Sequence, residues 1–279
     1  ELNALRKHLS IGKGGQFARL AYPATVVSLL LSDVVGDPLD VIASGPTVPD
    51  PSTFADCLKI IERHGLADRL PAPVVKLLRD GADGLLEDTP KAGDAVFKKV
   101  QNLVVGSNRA ALLAAAHEAR LLGYNVLILS SFIQGEARGI AAALTAIGKE
   151  IVLSDNPIPS PACILAGGET TVRIQGRGKG GRNQELALAG ALALKDWAHI
   201  ALLSAGTDGT DGPTDAAGAF VDGETCKKAW QRGMNPGDYL SNNDSYNFFD
   251  QLDQLFKTGP TRTNVMDLIC LLVDKRSRH

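Results

Sequence analysis

From about residue 96 onward, short apolar runs alternate with amphipathic stretches of helical period. That alternation predicts strands at Leu103–Val105, Val126–Leu129, Ile164–Ala166, Ile200–Leu203 and Leu268–Val273. Most are apolar on both faces, as strands of a sheet covered on both sides should be. Thr170–Ile174 alternates apolar with polar and follows its neighbour through Gly-Gly-Glu, so a hairpin is expected there. Helices are expected over RAALLAAAHEARLL, capped by Ser107 or Asn108 and ended at Gly123, and over GEARGIAAALTAIGKE, RNQELALAGALALK, ETCKKAWQR and SYNFFDQLDQLF.

The first 95 residues read differently. Thr25–Leu31 is a strand apolar on both faces, with no second convincing strand before residue 96 to pair with it. Asp50 and Pro51 offer a cap and first-turn proline to ADCLKIIERH, closed by Gly65. The expectation is an α/β chain of two Rossmann-like α/β/α domains with mostly parallel sheets. The first, 1–95, is incomplete, the second covers 96–279, and the boundary falls in Glu87–Asp94. The proline-rich stretch Ser154–Pro161 reads as a hinge or a surface loop.

Composition narrows the class. With 44% apolar and 22% charged residues and a net charge of −2, the chain carries no overall basic field for nucleic acid or an anionic membrane. No apolar run approaches the ~20 residues that span a bilayer, and no signal peptide opens the chain. A cytoplasmic protein is expected, or a mitochondrial one if a targeting segment precedes Glu1. The four cysteines, at 57, 163, 226 and 270, are far apart and read as buried free thiols. Histidines 8, 64, 117, 199 and 279 join no catalytic or ligand pattern.

Three segments carry candidate chemistry. Ser204–Gly218, SAGTDGTDGPTDAAG, follows an apolar strand, so it lies where open α/β sheets place ligands. Asp208, Asp211 and Asp215 within it are hard oxygen ligands that suit Mg²⁺ bridged to nucleotide phosphates; the alternative is a solvated turn. Gly176–Glu185, GRGKGGRNQE, precedes an apolar helix. Its glycines and the cations Arg177, Lys179 and Arg182 make a candidate anion site, though it matches neither a Walker A pattern nor GxGxxG. In Leu29–Asp50, Ser32 and Asp33 sit at a strand end, where Asp33 is placed either as a general base or as a helix cap, and Gly45–Thr47 adds turn donors. Asn243, Asp244, Thr261, Asn264 and Asp267 fall in polar loops that are candidates to line the same cleft.

GGETTVRIQGRGKGGRNQELALA, SAGTDGTDGPTDAAGA and TGPTRTNVMDL, preceded in order by RKHLSIGKGG, LSDVVGDPLDVIASGPTVPDP and VVGSNRAALLAAA, resemble the MOFRL-type glycerate kinases nearly end to end. VVSLLLSDVVGDP is most similar to the animal branch. The resemblance implies ATP- and Mg²⁺-dependent phosphorylation of D-glycerate to 2-phosphoglycerate. Asp33 and Arg182 are then the catalytic candidates. Substrate or phosphate would fall to Ser32, Ser44, Gly45, Thr47, Gly178, Lys179, Gly180, Gly181, Asn183, Glu185 and Asn264, and metal to Asp208, Asp211 and Asp215. The implied partners are glycerate and ATP, not nucleic acid or membrane, with a homodimer left open. Two departures stand out: the family's glycine-rich serine loop and active-site lysine would lie upstream of Glu1, and Arg262 occupies a usual glycine position. An inactive fragment that keeps ligand binding is therefore the rival reading. Hydroxypyruvate reduction, a label some members have carried, lacks a dinucleotide fingerprint in this sequence.

Overall fold

The computed structural model describes residues 1–274 and divides into two units. Unit 1 comprises residues 1–30 and 37–105; unit 2 comprises residues 31–36 and 106 onward.

Unit 1 contains helices α1 (Leu2–His8) and α2 (Gln16–Ala21), strand β1 (Val26–Leu31), helices α3 (Phe54–Arg63) and α4 (Ala72–Ala82), and strand β2 (Val100–Gly106). Its small core gathers Phe54, Cys57, Ile61 and Leu78. Helix α3 is started by a capping box, Thr53 accepting from the Asp56 N–H and Asp56 accepting from the Thr53 N–H. The expected cap, Asp50, has a different role. It is buried, taking hydrogen bonds from Lys7 Nζ (3.1 Å), Ser52 and Thr89.

β1 does find a partner, which is β2. Residues 96–105 therefore go with unit 1, and the division falls later than the boundary expected at Glu87–Asp94. On this two-stranded sheet Val27, Leu29, Leu31, Leu103 and Val105 remain exposed.

Unit 2 is a three-layer α/β/α domain. Its six-stranded sheet is built from β3 (Asn125–Glu136), β4 (Ala162–Thr171), β5 (Ile200–Gly206), β6 (Gly218–Asp222), β7 (Leu255–Phe256) and β8 (Asp267–Val273), in the order β3-β4-β8-β5-β6-β7. Helix α5 (Asn108–Leu121) covers one face through Leu112, Ala116 and Ala119, packed on Cys163 and Leu165. Helices α6 (Ala137–Ser154), α7 (Arg182–Ala193), α8 (Thr225–Gln231), α9 (Pro236–Ser241) and α10 (Ser245–Leu252) lie in the other layer, whose core includes Ile164, Leu186, Ile200, Leu202, Phe248 and Leu271. Neighbouring residues on β4, such as Ile164 and Leu165, thus feed opposite cores, as the two-residue period of a strand requires.

β3, β4 and β5 run in one direction, as strand–helix alternation implies. β8, the last strand of the chain, runs antiparallel between β4 and β5, and β6 runs antiparallel on the outer side of β5. The start of β8 therefore lies beside the ends of β4 and β5: Asp267 pairs with Gly168 on one side and Gly206 on the other.

The hairpin expected at Thr170–Ile174 is absent. β4 continues unbroken through Gly167 and Gly168, because both glycines allow close approach, by the Asn108 side chain and the Ile133 backbone respectively. Ser154–Pro161 joins α6 to β4 wholly within unit 2, so it is a surface loop and not a hinge. The four cysteines are free, as expected. No described helix is long and apolar enough to cross a membrane.

Candidate functional site

The N-terminus of α7 is the organising feature of unit 2. An α-helix begins with backbone N–H groups that lack intrahelical partners, and in α7 Asp211 supplies the acceptors. Its Oδ1 accepts from the Asn183 N–H at 3.1 Å and its Oδ2 from the Gln184 N–H at 2.9 Å. Asp211 is buried, and burial pushes its carboxyl up to about 6, against the pull of the two backbone donors; the nearby Asp267 charge pushes in the same direction as burial. Gly181 is required beside it, because a Cβ there would overlap the Asp211 carboxyl.

Five more side chains lock this corner. Arg182, the first residue of α7, donates from Nε to Asp267 Oδ2 (2.7 Å) and from Nη2 to Asp267 Oδ1 (3.0 Å), a bidentate pair. Its Nη1 donates to Glu169 Oε1 at 2.7 Å. Burial opposes the Arg182 charge, but Asp267 and Glu169 outweigh it and raise its pKa. Asn183 donates to Asp267 Oδ1 (3.0 Å) and accepts from Ser204 Oγ (2.6 Å), which ties α7 to β5 and β8 together.

The glycine-rich loop before α7 is held from the side by residues 242–245. Asn243 Oδ1 accepts from the N–H groups of Gln175 (2.8 Å) and Gly176 (2.9 Å), and its Nδ2 donates to Glu185 Oε2 (2.8 Å). The Arg177 N–H donates to Asn242 Oδ1, Gly178 to the Asn242 carbonyl, and Lys179 to Asp244 Oδ1. These donors are thus spent inside the protein. The loop's glycines serve close packing, since a Cβ at Gly176, Gly178 or Gly180 would strike Asn242, Asp244 or Ser245. Among the described residues, the N–H groups of Gly180 and Gly181 keep no partner.

Glu185, expected to touch substrate, is a buried brace between Asn243 and Arg138, whose Nε lies 2.8 Å from Glu185 Oε1. Lys179 extends over the Tyr246 ring at 3.9 Å.

The expected aspartate trio does not assemble. Asp211 is the buried cap. Asp215 is exposed and bound by Tyr246 Oη (2.6 Å) and Lys257 Nζ (3.2 Å), which hold its carboxyl below the ordinary range. Asp208 is in the loop after β5, its carboxylate engaged with Thr210, whose N–H lies 3.0 Å from Oδ1. Asn264 turns inward on its own loop, accepting from the Met266 N–H at 3.0 Å. Arg262 in that loop has φ +62°, the left-handed region where a side chain is strained.

A cavity of about 970 Å³ opens among these elements, lined by Glu169, Thr170, Gly180, Gly181, Arg182, Asp208 and Asp211 with Val172 and Pro213 on its walls. Its wall carries more carboxylates than the single Arg182 guanidinium balances.

Residues 162–267 match the MOFRL family and residues 1–79 a domain of unknown function, DUF4147. The chain is 45% identical over 273 residues to the D-glycerate 2-kinase of Thermotoga maritima, an alignment covering 98% of this chain and 62% of that protein. It is 40% identical over 319 residues to the glycerate kinase of Macaca fascicularis, covering 99% of this chain and 79% of that one. The crystal structure of glycerate kinase from Thermotoga maritima superposes with a TM-score of 0.88, over 98% of this chain and 63% of that chain. The chain belongs to the glycerate kinase family. It spans about three fifths of the length of the bacterial relative, and its identity to that relative, 45%, is higher than its 40% to the animal one.

Within this glycerate kinase family member, the other expected site residues fall outside the cavity lining. Asp33 is exposed just after β1. Ser32 is buried, its N–H on the Gly106 carbonyl (2.9 Å) and its Oγ on the Val34 carbonyl. Ser44, Gly45 and Thr47 belong to unit 1 and hold its own turn: Ser44 Oγ donates to Asn3 Oδ1, and Thr47 Oγ1 donates to Asn102 Oδ1 at 2.5 Å. Both hydroxyls are buried donors within unit 1. His8 is buried against Asp88 and Cys57, and His279 lies outside the described residues.

Sequence reading missed Glu169 and Arg138, and it gave Asp267 no role beyond the cleft wall. Glu169 was hidden in an expected turn. The antiparallel placement of β8, which delivers Asp267, carries no periodicity signal.

Among the described residues no group of three or more His, Cys, Asp or Glu is placed to hold a metal. A protein-only Mg²⁺ cage does not fit. Asp208, half-buried on the cavity wall, fits the weaker requirement of a metal that arrives with phosphates and takes one or two carboxylates.

Proposed function

We propose that this chain carries the phosphoryl-transfer site of an ATP-dependent kinase that converts D-glycerate to 2-phosphoglycerate. The observation that supports this most directly is the convergence, on one cavity, of Arg182, the Gly180 and Gly181 N–H groups and the Asp208 carboxylate, in a member of the glycerate kinase family.

In this reading the 2-hydroxyl oxygen of glycerate attacks the γ-phosphorus, the bond from that phosphorus to the ADP oxygen breaks, and the hydroxyl proton passes to a carboxylate base; Asp33, which is outside the cavity lining, takes that role from the sequence pattern and not from the cavity. Arg182 and the two glycine amides offset charge on the transferring group, as fixed donors do in phosphoryl transfer. Mg²⁺ bound with the nucleotide would supply further charge neutralisation, with Asp208 as its protein ligand. In this reading Asp211 serves as the cap of α7 and Asp215 as the partner of Lys257 and Tyr246, which leaves the metal to Asp208.

Assaying 2-phosphoglycerate formation from ATP and D-glycerate tests the proposal. Arg182→Ala should lower kcat by roughly 10²-fold or more, the usual effect of removing one preorganised donor. Nucleotide binding without any turnover would instead support a binding role, and Asp33→Asn with unchanged kcat would remove the base assignment.

A further inference from the structure

Arg182 is held by two carboxylates of opposite character. Asp267 starts the central strand, its side chain only 3% exposed, and its two oxygens take Arg182 Nε, Arg182 Nη2 and Asn183 Nδ2. Its backbone is fixed equally well, paired to Gly168 and Gly206 and with its carbonyl accepting from Asn108 Nδ2 at 2.9 Å. Glu169 lies near the end of β4, with a side chain 47% exposed on the cavity wall and, among the described residues, the Arg182 Nη1 hydrogen bond as its side-chain hydrogen bond.

One carboxylate is saturated by immobile donors, and the other is exposed and singly bound. An anion entering the cavity meets Glu169 as a competitor for the same guanidinium edge. The planar guanidinium fork pairs with carboxylate and with phosphate oxygens alike.

Resting on the reading of Arg182 as the phosphate-facing cation, we propose that Asp267 is the positioning residue that fixes its orientation. Glu169 is an exchangeable stand-in for phosphate, covering Nη1 until a phosphoryl group displaces it. Displacement leaves Asp267 to hold the guanidinium plane while Nη1 turns from a carboxylate to a phosphate oxygen. No bond is made or broken, and Glu169 swings toward solvent, which its exposure allows.

The test is calorimetric titration of the protein with metal-free inorganic pyrophosphate at low ionic strength. Glu169 is exposed, so Glu169→Ala and the isosteric Glu169→Gln should both fold. Removing the competitor should tighten the pyrophosphate Kd roughly tenfold in Glu169→Ala, the scale of one hydrogen bond to a charged group. Glu169→Gln should fall between Ala and the native residue. In an Arg182→Ala background the gain should vanish.

Unchanged or weaker binding in Glu169→Ala overturns the proposal. So does equal tightening with and without Arg182, which would make Glu169 a general repulsive charge. The readout does not require turnover. A chain that shows this binding pattern but never phosphorylates glycerate would refute the kinase reading alone.

Discussion

Asp211→Asn isolates a contest between two physical effects at the start of α7. The helix N-terminus, with two N–H donors at 2.9 and 3.1 Å, favours the ionised carboxylate. Burial at 3% exposure, with Asp267 close by, favours the neutral acid and wins, placing the carboxyl at about 6 against an ordinary 3.8. Folded Asp211 therefore holds its proton up to about pH 6, while the unfolded chain releases it near pH 4. Between those limits the folded state binds more protons, so raising the pH favours unfolding.

That difference corresponds to roughly 3 kcal/mol, at 1.36 kcal/mol for each tenfold change in proton affinity. The native protein should lose about this much stability relative to Asp211→Asn between pH 4 and pH 7. The asparagine variant itself forfeits one backbone acceptor at every pH, about 1–3 kcal/mol, since its amide must face one of the two N–H groups. The two curves should converge as pH rises.

Urea unfolding followed by tryptophan fluorescence is suited to the measurement. Both tryptophans, Trp197 and Trp230, lie in unit 2, so the signal reports the unit that contains the cap. A stability difference that stays flat with pH would refute the reasoning. A difference that widens as pH rises would mean that the helix amides, not burial, govern this carboxyl.

Two further perturbations probe the loops around the cavity. Arg262→Gly should be more stable than Arg262→Ala by about 1 kcal/mol, because only glycine escapes the cost of φ +62°; thermal unfolding that ranks alanine equal or higher would dismiss the strain. Asn243→Ala removes the acceptor for the Gln175 and Gly176 amides and strands Glu185 Oε2. It should cost about 2 kcal/mol or more and speed hydrogen exchange through residues 175–179, while unchanged protection would place the loop's anchor elsewhere.

Periodicity made β3, β5 and β8 legible because their apolar runs are long enough to bury both faces. It could not reveal direction. A strand running down between two running up has the same two-residue alternation, so the insertion of β8, and with it the delivery of Asp267 to the ends of β4 and β5, left no mark. β6 and β7 escaped for want of length, at five and two residues.

Glycine misled twice for one reason. In Gly167–Gly168 it suggested a turn, and in Gly176–Gly181 an open phosphate cradle. In both places it marks a close approach by Asn108, Ile133, Asn242, Asp244, Ser245 or Asp211, and the sequence is silent on what approaches.

The aspartates followed the same logic. Asp208, Asp211 and Asp215 are near in sequence, yet Asp208 bonds its own loop at Thr210, Asp211 caps a helix at the cavity wall and Asp215 pairs with Lys257, because a glycine-rich loop can turn each side chain to a different partner. Arg182 was legible because a cation in a glycine-rich run ahead of a helix marks a candidate anion site, but what holds it at the helix start has a separate reason. The reason lies in Asp267 and Glu169, 85 and 13 residues away, which only the folded sheet brings to it.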